Sequence, residues 1–151
     1  MRQLQVSAIK DGTVIDHIDS KSTFKVASIL NIPAESRLIL VGMNLSSRQL
    51  GKKGIIKIEG KVLNQEEANK IALIAPNATL NIIKNFEVVE KIIIQLPPQI
   101  NDIICCPNKR CVSHITQSKF VTTKNRQNQI CALCHYCEQS FLLDNIQEYK
   151  I

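Results

Sequence analysis

The sequence predicts an α+β fold in two parts, and three observations lead to it. Residues 1–96 alternate stretches of period two with stretches of helical period, Pro97 and Pro98 interrupt the chain, and all six cysteines follow, between Cys105 and Cys137. The first pattern belongs to a sheet carrying helices; the second belongs to a small module held by a metal in place of a large apolar core.

The elements follow in order. "QLQVSAIK" (3–10) alternates and reads as a strand, and after the turn at Asp11-Gly12 "TVIDHI" (13–18) reads as a second extended piece. "SKSTFKVASILNI" (20–32) offers Ser20 or Ser22 as N-cap, sets Phe24, Ala27 and Leu30 on one helical face, and is ended by Pro33. "RLILVGMNL" (37–45) and "GIIKIEG" (54–60) are aliphatic runs bounded by glycine and predict strands. Asn64 precedes Glu67 by three residues, the spacing of a capping box, and Ala68, Ile71, Ala72 and Ala75 recur at helical spacing until Pro76 closes the helix. "ATLNIIKN" (78–85) and "FEVVEKIIIQL" (86–96) are two further strands. The order β, α, β, β, α, β is the split βαβ, or ferredoxin-like, arrangement of two helices on one face of an antiparallel sheet. The prolines of "QLPPQIND" (95–102) mark a boundary, giving domains 1–96 and 97–151.

Composition narrows the class. Hydrophobic residues make up 44% of the chain but aromatic ones only 4%, so the core is aliphatic. No segment approaches the roughly 20 apolar residues of a membrane helix, and the N-terminal alternation is that of a strand, not of a signal peptide. The expectation is a cytoplasmic chain without membrane contact, whose thiols stay reduced and point to metal. The net charge is +6, with 13 basic and 9 acidic side chains in residues 1–97. A basic balance of this kind favours anionic partners.

The cysteine spacing names the metal. Cys106 and Cys111 enclose four residues, Cys134 and Cys137 enclose two, and "SKFVTT" and "QICAL" between the pairs read as strands joined by "KNRQNQ", with "SFLLD" as a residual strand. Two knuckles joined by a hairpin supply the tetrahedral set of four thiolates that Zn²⁺ takes, about 2.3 Å from each sulfur. The module is all-β and zinc-ribbon-like, and four protein ligands leave no position for a catalytic water. Iron–sulfur ligation is the chemically nearest rival. Cys105 and Cys131 fall outside the spacing and read as packing residues, and His114 and His135 as groups that do not ligate.

The first domain holds no phosphate loop, carboxylate pair or nucleophile elbow, which argues against an enzyme. "GKKG" (51–54) reads as a solvated turn. Lys57 and Lys91 each interrupt an apolar strand and, at period two, face opposite their neighbours, an arrangement that suits a phosphate. Asp16-His17 is a candidate orienting pair. A zinc-ribbon nucleic-acid binder is the competing class, favoured by Lys109, Arg110, Lys119, Lys124 and Arg126. Four thiolates with Zn²⁺ bring the second domain near neutrality, so no nucleic-acid partner is expected.

"GTVIDHI" (12–18), "IKIE" (56–59), "APNAT" (75–79), "NFEVVEK" (85–91) and "CPN" (106–108), with the cysteine spacing, together resemble the regulatory chain of aspartate carbamoyltransferase over nearly the whole sequence. The resemblance implies a non-catalytic subunit in pyrimidine biosynthesis. Its first domain would bind CTP and ATP, and UTP as a further candidate, as allosteric effectors. Its zinc domain would dock on the catalytic chain, with homodimers of regulatory chains bridging catalytic trimers. Carried over by position, Asp16, His17, Lys57 and Lys91 would hold the nucleotide, Lys53 would lie near the phosphates, and Ile9, Val14, Asn81, Ile83, Phe86 and Val88 would line the base pocket. Phe86 stands where the family commonly has Tyr.

Overall fold

A computed structural model describes residues 7–32 and 36–150, and the chain divides into two units between Gln95 and Leu96. In the first unit, β1 (Gly12–Asp19) is followed by a 3₁₀ turn (Ser20–Ser22) and α1 (Thr23–Ile29). Then come β2 (Ile39–Ser47), β3 (Gly51–Glu59), α2 (Gln65–Ile74), β4 (Thr79–Lys84) and β5 (Glu87–Ile92). The sheet is antiparallel with order β2-β3-β1-β4-β5, so the first four strands and two helices form the expected ferredoxin-like unit and β5 adds an outer hairpin strand.

The core forms because β-branched residues of the central strands meet small residues of the helices. Ile15, Ile18, Ile56, Ile58 and Leu80 are almost fully buried, as are Val26 of α1 and Ala68, Ile71 and Ala72 of α2. The capping box of α2 is present: Glu67 N–H donates to Asn64 Oδ1 at 2.9 Å and Asn64 N–H to Glu67 Oε1 at 3.3 Å. Two orphan donors of the first turn are thereby satisfied.

Four expectations need correction. No strand covers Ser7–Ile9, and residues 3–6 of the "QLQVSAIK" strand lie outside the described residues, as does Pro33. Phe24 points outward, 65% exposed, while Thr23, Val26, Ala27 and Leu30 form the buried face. Ser22 does stand at the N-cap position of α1 but makes no side-chain capping bond, and Ser20 Oγ instead donates to Asn44 Oδ1 and accepts from Asn44 N–H. "GKKG" is no turn, because β3 begins at Gly51 and carries Lys52 and Lys53 in register with Ser46 and Leu45 of β2.

In the second unit β6 (Gln99–Asn101), β7 (Lys119–Lys124), β8 (Ile130–Cys134) and β9 (Ser140–Leu142) form an antiparallel sheet in sequential order. Its apolar core is small, built on Ile100, Ile104, Phe120, Ala132 and Ile146. The β7–β8 turn is held by Asn125 Oδ1, which accepts the N–H groups of Gln127 and Gln129, both at 2.9 Å. Among the described residues, no helix is long and apolar enough to cross a membrane.

Candidate metal centre and anion cavity

The hairpin β7–β8 brings the two knuckles together. Cys134 ends β8 beside Phe120, and the sulfurs of Cys106, Cys111, Cys134 and Cys137 all lie within 4.8 Å of one another. Two edges of this group measure 3.8 Å (Cys106 to Cys137) and 3.7 Å (Cys111 to Cys134). A tetrahedron with 2.3 Å arms has edges of about 3.8 Å, so the sulfurs are spaced as one zinc ion requires. The four thiolates complete its coordination, and the centre is structural.

Electrostatics differ among the four. Burial above all pushes the Cys106 thiol up to about 12 and also raises Cys134. Burial acts on Cys111 in the same sense but is outweighed by its hydrogen-bond donors, chiefly Ser113, which bring it down to about 6. Ser113 donates twice to this sulfur, from its hydroxyl at 3.1 Å and its backbone N–H at 3.5 Å. His114 and His135 are exposed, and His114 Nε2 pairs with the Asn108 carbonyl at 2.9 Å, away from the sulfurs. Cys131 is buried in β8 and Cys105 is half-buried; neither belongs to the sulfur group.

The first unit carries a cavity of about 890 Å³. Of the residues singled out in the sequence, Ile9, Val14, Asp16, His17, Lys53, Lys57, Asn81, Ile83, Phe86 and Val88 line it. Lys91 does not; it is exposed on β5, in register with Asn81 across the β4–β5 pair. Ala8, Leu45, Ser46, Ser47, Arg48, Gln49 and Ile55 also line the cavity and were not singled out. The basic, hydroxyl-rich run "SSRQ" before "GKKG" was the available signal for several of them.

A bulge in β1 builds one wall. The register with β3 shifts between Ile15 and Ile18, and His17 takes a φ of 57°. An inserted residue bends the strand and re-aims side chains: Ile15 and Ile18 both stay in the core, while Asp16 and His17 turn to the cavity. His17 Nδ1 lies 3.0 Å from Thr79 Oγ1, and Asp16 Oδ1 accepts the His17 backbone N–H at 2.6 Å. The same carboxylate pairs with Lys53 Nζ at 2.8 Å. Lys57 is buried, donates to the Ser7 carbonyl at 2.8 Å, and has its pKa lowered by desolvation, against the opposing pull of Asp16. Asn81 Oδ1 is buried without a hydrogen-bond partner.

A second wall comes from the β4–β5 hairpin. Asn85 and Phe86 both have positive φ, 51° and 66°, as the central pair of a tight two-residue turn requires. Asn tolerates that conformation; Phe does so at a cost. The turn is tied down by Phe86 N–H donating to the Lys10 carbonyl and Asn85 N–H to Asp11 Oδ1. The Phe86 ring is left 64% exposed at the cavity.

Comparison with known proteins places both units in one family. Residues 4–95 match the family described as the allosteric domain of the aspartate carbamoyltransferase regulatory chain, and residues 98–147 match its metal-binding domain. The aspartate carbamoyltransferase regulatory chain of Thermococcus sibiricus is 49% identical over 140 residues, 93% of each chain. That of Vibrio cholerae is 44% identical over 151 residues, 98% of this chain and 96% of its own. That of Pyrococcus horikoshii is 48% identical over 145 residues, 93% of each. With an allosteric domain, a four-cysteine zinc centre and this coverage, the chain belongs to the family of aspartate carbamoyltransferase regulatory chains and is a non-catalytic subunit.

Proposed function

We propose that residues 1–96 bind a nucleoside triphosphate in the cavity of the first unit, and that residues 97–151 dock on the catalytic chain of aspartate carbamoyltransferase. CTP and ATP are the effectors in this reading, with UTP a third candidate, and the setting is pyrimidine biosynthesis in the cytoplasm by an assembly containing regulatory homodimers. One observation carries the reading: a single cavity combines Lys53, Lys57, Arg48 and His17 with the apolar side chains of Ile9, Val14, Ile83, Phe86 and Val88. A nucleotide has that division, a polyanion joined to a flat, weakly polar base.

The residues divide the work. Lys53, oriented by Asp16, and Lys57, already stripped of water, meet phosphate oxygens; a desolvated ammonium gains more from an anion than a hydrated one. Lys91, exposed on β5 opposite Asn81 and outside the cavity lining, would have to extend over the β4–β5 pair to meet the nucleotide. Asn81 Oδ1, lacking a partner, accepts from the exocyclic amino group that cytosine and adenine both carry and uracil does not. Function is then a coupling free energy: an effector shifts the assembly only by as much as it prefers one quaternary state, typically about 1–3 kcal/mol.

Calorimetric titration of the zinc-loaded chain with CTP, with ATP as competitor and the Lys91→Ala variant beside it, tests the reading. Saturable binding that ATP displaces and the variant weakens supports it. Absence of heat and of competition at millimolar nucleotide refutes the effector site.

A further inference from the structure

The metal centre is braced by a side chain far from it in sequence. The ammonium of Lys150 has three N–H donors, and three oxygens surround it: the Ser113 carbonyl at 3.1 Å, the Thr116 carbonyl at 3.0 Å and Asp102 Oδ1 at 3.1 Å. Two of these belong to the loop that leaves Cys111. The backbone around Lys150 grips the segment that enters Cys106: Lys150 N–H donates to the Ile103 carbonyl at 2.6 Å, Cys105 N–H donates to the Glu148 carbonyl at 3.0 Å, and Ile104 and Tyr149 pair as an antiparallel bridge. Glu148–Lys150 therefore clasps the first knuckle on both sides, before Cys106 and after Cys111.

The clasp meets the metal through one residue. Ser113 is 1% exposed; its carbonyl accepts from Lys150 while its hydroxyl and N–H both point at Cys111 Sγ. Holding the carbonyl of a buried serine restrains the rotation about its Cα, the atom that links this carbonyl to the N–H and the hydroxyl aimed at the sulfur. Groups that hydrogen-bond a metal ligand set its orientation and basicity, and their loss typically costs 10–100-fold in metal affinity or activity. Lys150 lies past residue 147, where the match to the family's metal-binding domain stops.

We infer that Lys150 is a positioning residue of the metal centre, holding Ser113 so that its two hydrogen bonds to Cys111 persist and the zinc ion is retained. Lys150→Met keeps the apolar stem and removes the three donors; Lys150→Arg restores donors; Ser113→Ala removes the hydroxyl at the sulfur. Zinc transfer from the full-length chain to a chromophoric chelator is the first readout. Lys150→Met is expected to speed transfer by about tenfold, Ser113→Ala comparably, the double variant no further than the larger single effect, and Lys150→Arg to recover most of the loss.

The second readout replaces zinc by Co²⁺. Lys150→Met and Ser113→Ala should displace the thiolate-to-cobalt charge-transfer band in the same direction, which mere loosening of the fold would not do. The inference is overturned if Lys150→Met transfers zinc at the wild-type rate, if the two single effects simply add, or if the band does not move.

Discussion

A Cβ built on Gly54 would sit 1.8 Å from Thr23 Oγ1, and Thr23 is fully buried with that hydroxyl donating to the Ser20 carbonyl at 2.9 Å. The start of α1 thus rests directly on the backbone of β3, in the space a side chain would take. Gly54→Ala is expected to destabilise the first unit by about 1–3 kcal/mol through overpacking. Thr23→Ala should relieve part of that cost, so the pair will be non-additive. Thermal unfolding of the two single variants and the double variant checks this, and simple additivity would refute it.

Phe86 occupies a backbone position that suits glycine. Phe86→Gly should raise the melting temperature, because relieving a left-handed non-glycine residue recovers about 1 kcal/mol. The same change removes a cavity wall, so CTP affinity should fall. Opposite movement of the two quantities is the expected result, measured by calorimetry and by titration on the same preparations. A variant that melts lower would show that the ring contributes more than the turn costs.

Lys57→Met is expected to leave the fold intact and weaken CTP binding by one to two orders of magnitude, since hydrogen bonds to charged groups contribute about 1.5–3 kcal/mol. Unchanged affinity would remove Lys57 from the site.

The pH dependence of the same variant follows from linkage. The folded pKa of Lys57 is lowered from 10.5 by desolvation. Between that lowered value and 10.5 the unfolded chain binds more protons than the folded one, so the free energy of unfolding rises with pH in this window. Below the window the group contributes a constant penalty for burying its charge. Wild type should therefore gain stability relative to Lys57→Met as pH rises toward 10.5, without nucleotide. Denaturant melts at a series of alkaline pH values measure it; a constant difference would contradict the burial.

Stripping zinc with a chelator should unfold residues 96–150 and spare the first unit. Its sheet carries a separate aliphatic core, whereas the second has few buried apolar side chains, and small domains with structural zinc depend on it for folding. Amide NMR spectra recorded before and after chelation separate the two sets of signals. Retention of the β7 and β8 signals in the metal-free chain would show that the apolar core suffices.

What the sequence disclosed is what its physics keeps local. The α2 capping box needs only Asn64 and Glu67, three positions apart, and the zinc set needs only spacing and a hairpin, so both were readable. Phe24 was misplaced because the phase of α1 is set by the 3₁₀ turn before it and by the room Gly54 leaves for Thr23, a contact between residues 31 positions apart. The β1 bulge escaped for a related reason: strict alternation cannot announce an inserted residue, yet that residue turns Asp16 and His17 toward Lys53 and Thr79. The pattern therefore disclosed Lys57 and the Asp16-His17 pair, whereas the apolar cavity positions Ile9, Val14, Ile83, Phe86 and Val88 were visible only as a resemblance. Arg48 carried no periodic signal, being in the turn between β2 and β3.

The ligand pairs lie far apart along the chain, and the clasp that steadies them comes later still. Synthesis runs at about 5–20 residues per second, so the first unit is complete seconds before Cys134 and Cys137 exist as a pair, and Lys150 follows them. On the ribosome the first unit can fold while the second is still an unmetallated thread. Zinc capture by the second unit is therefore the later event, because its four ligands are complete only once Cys137 has been made.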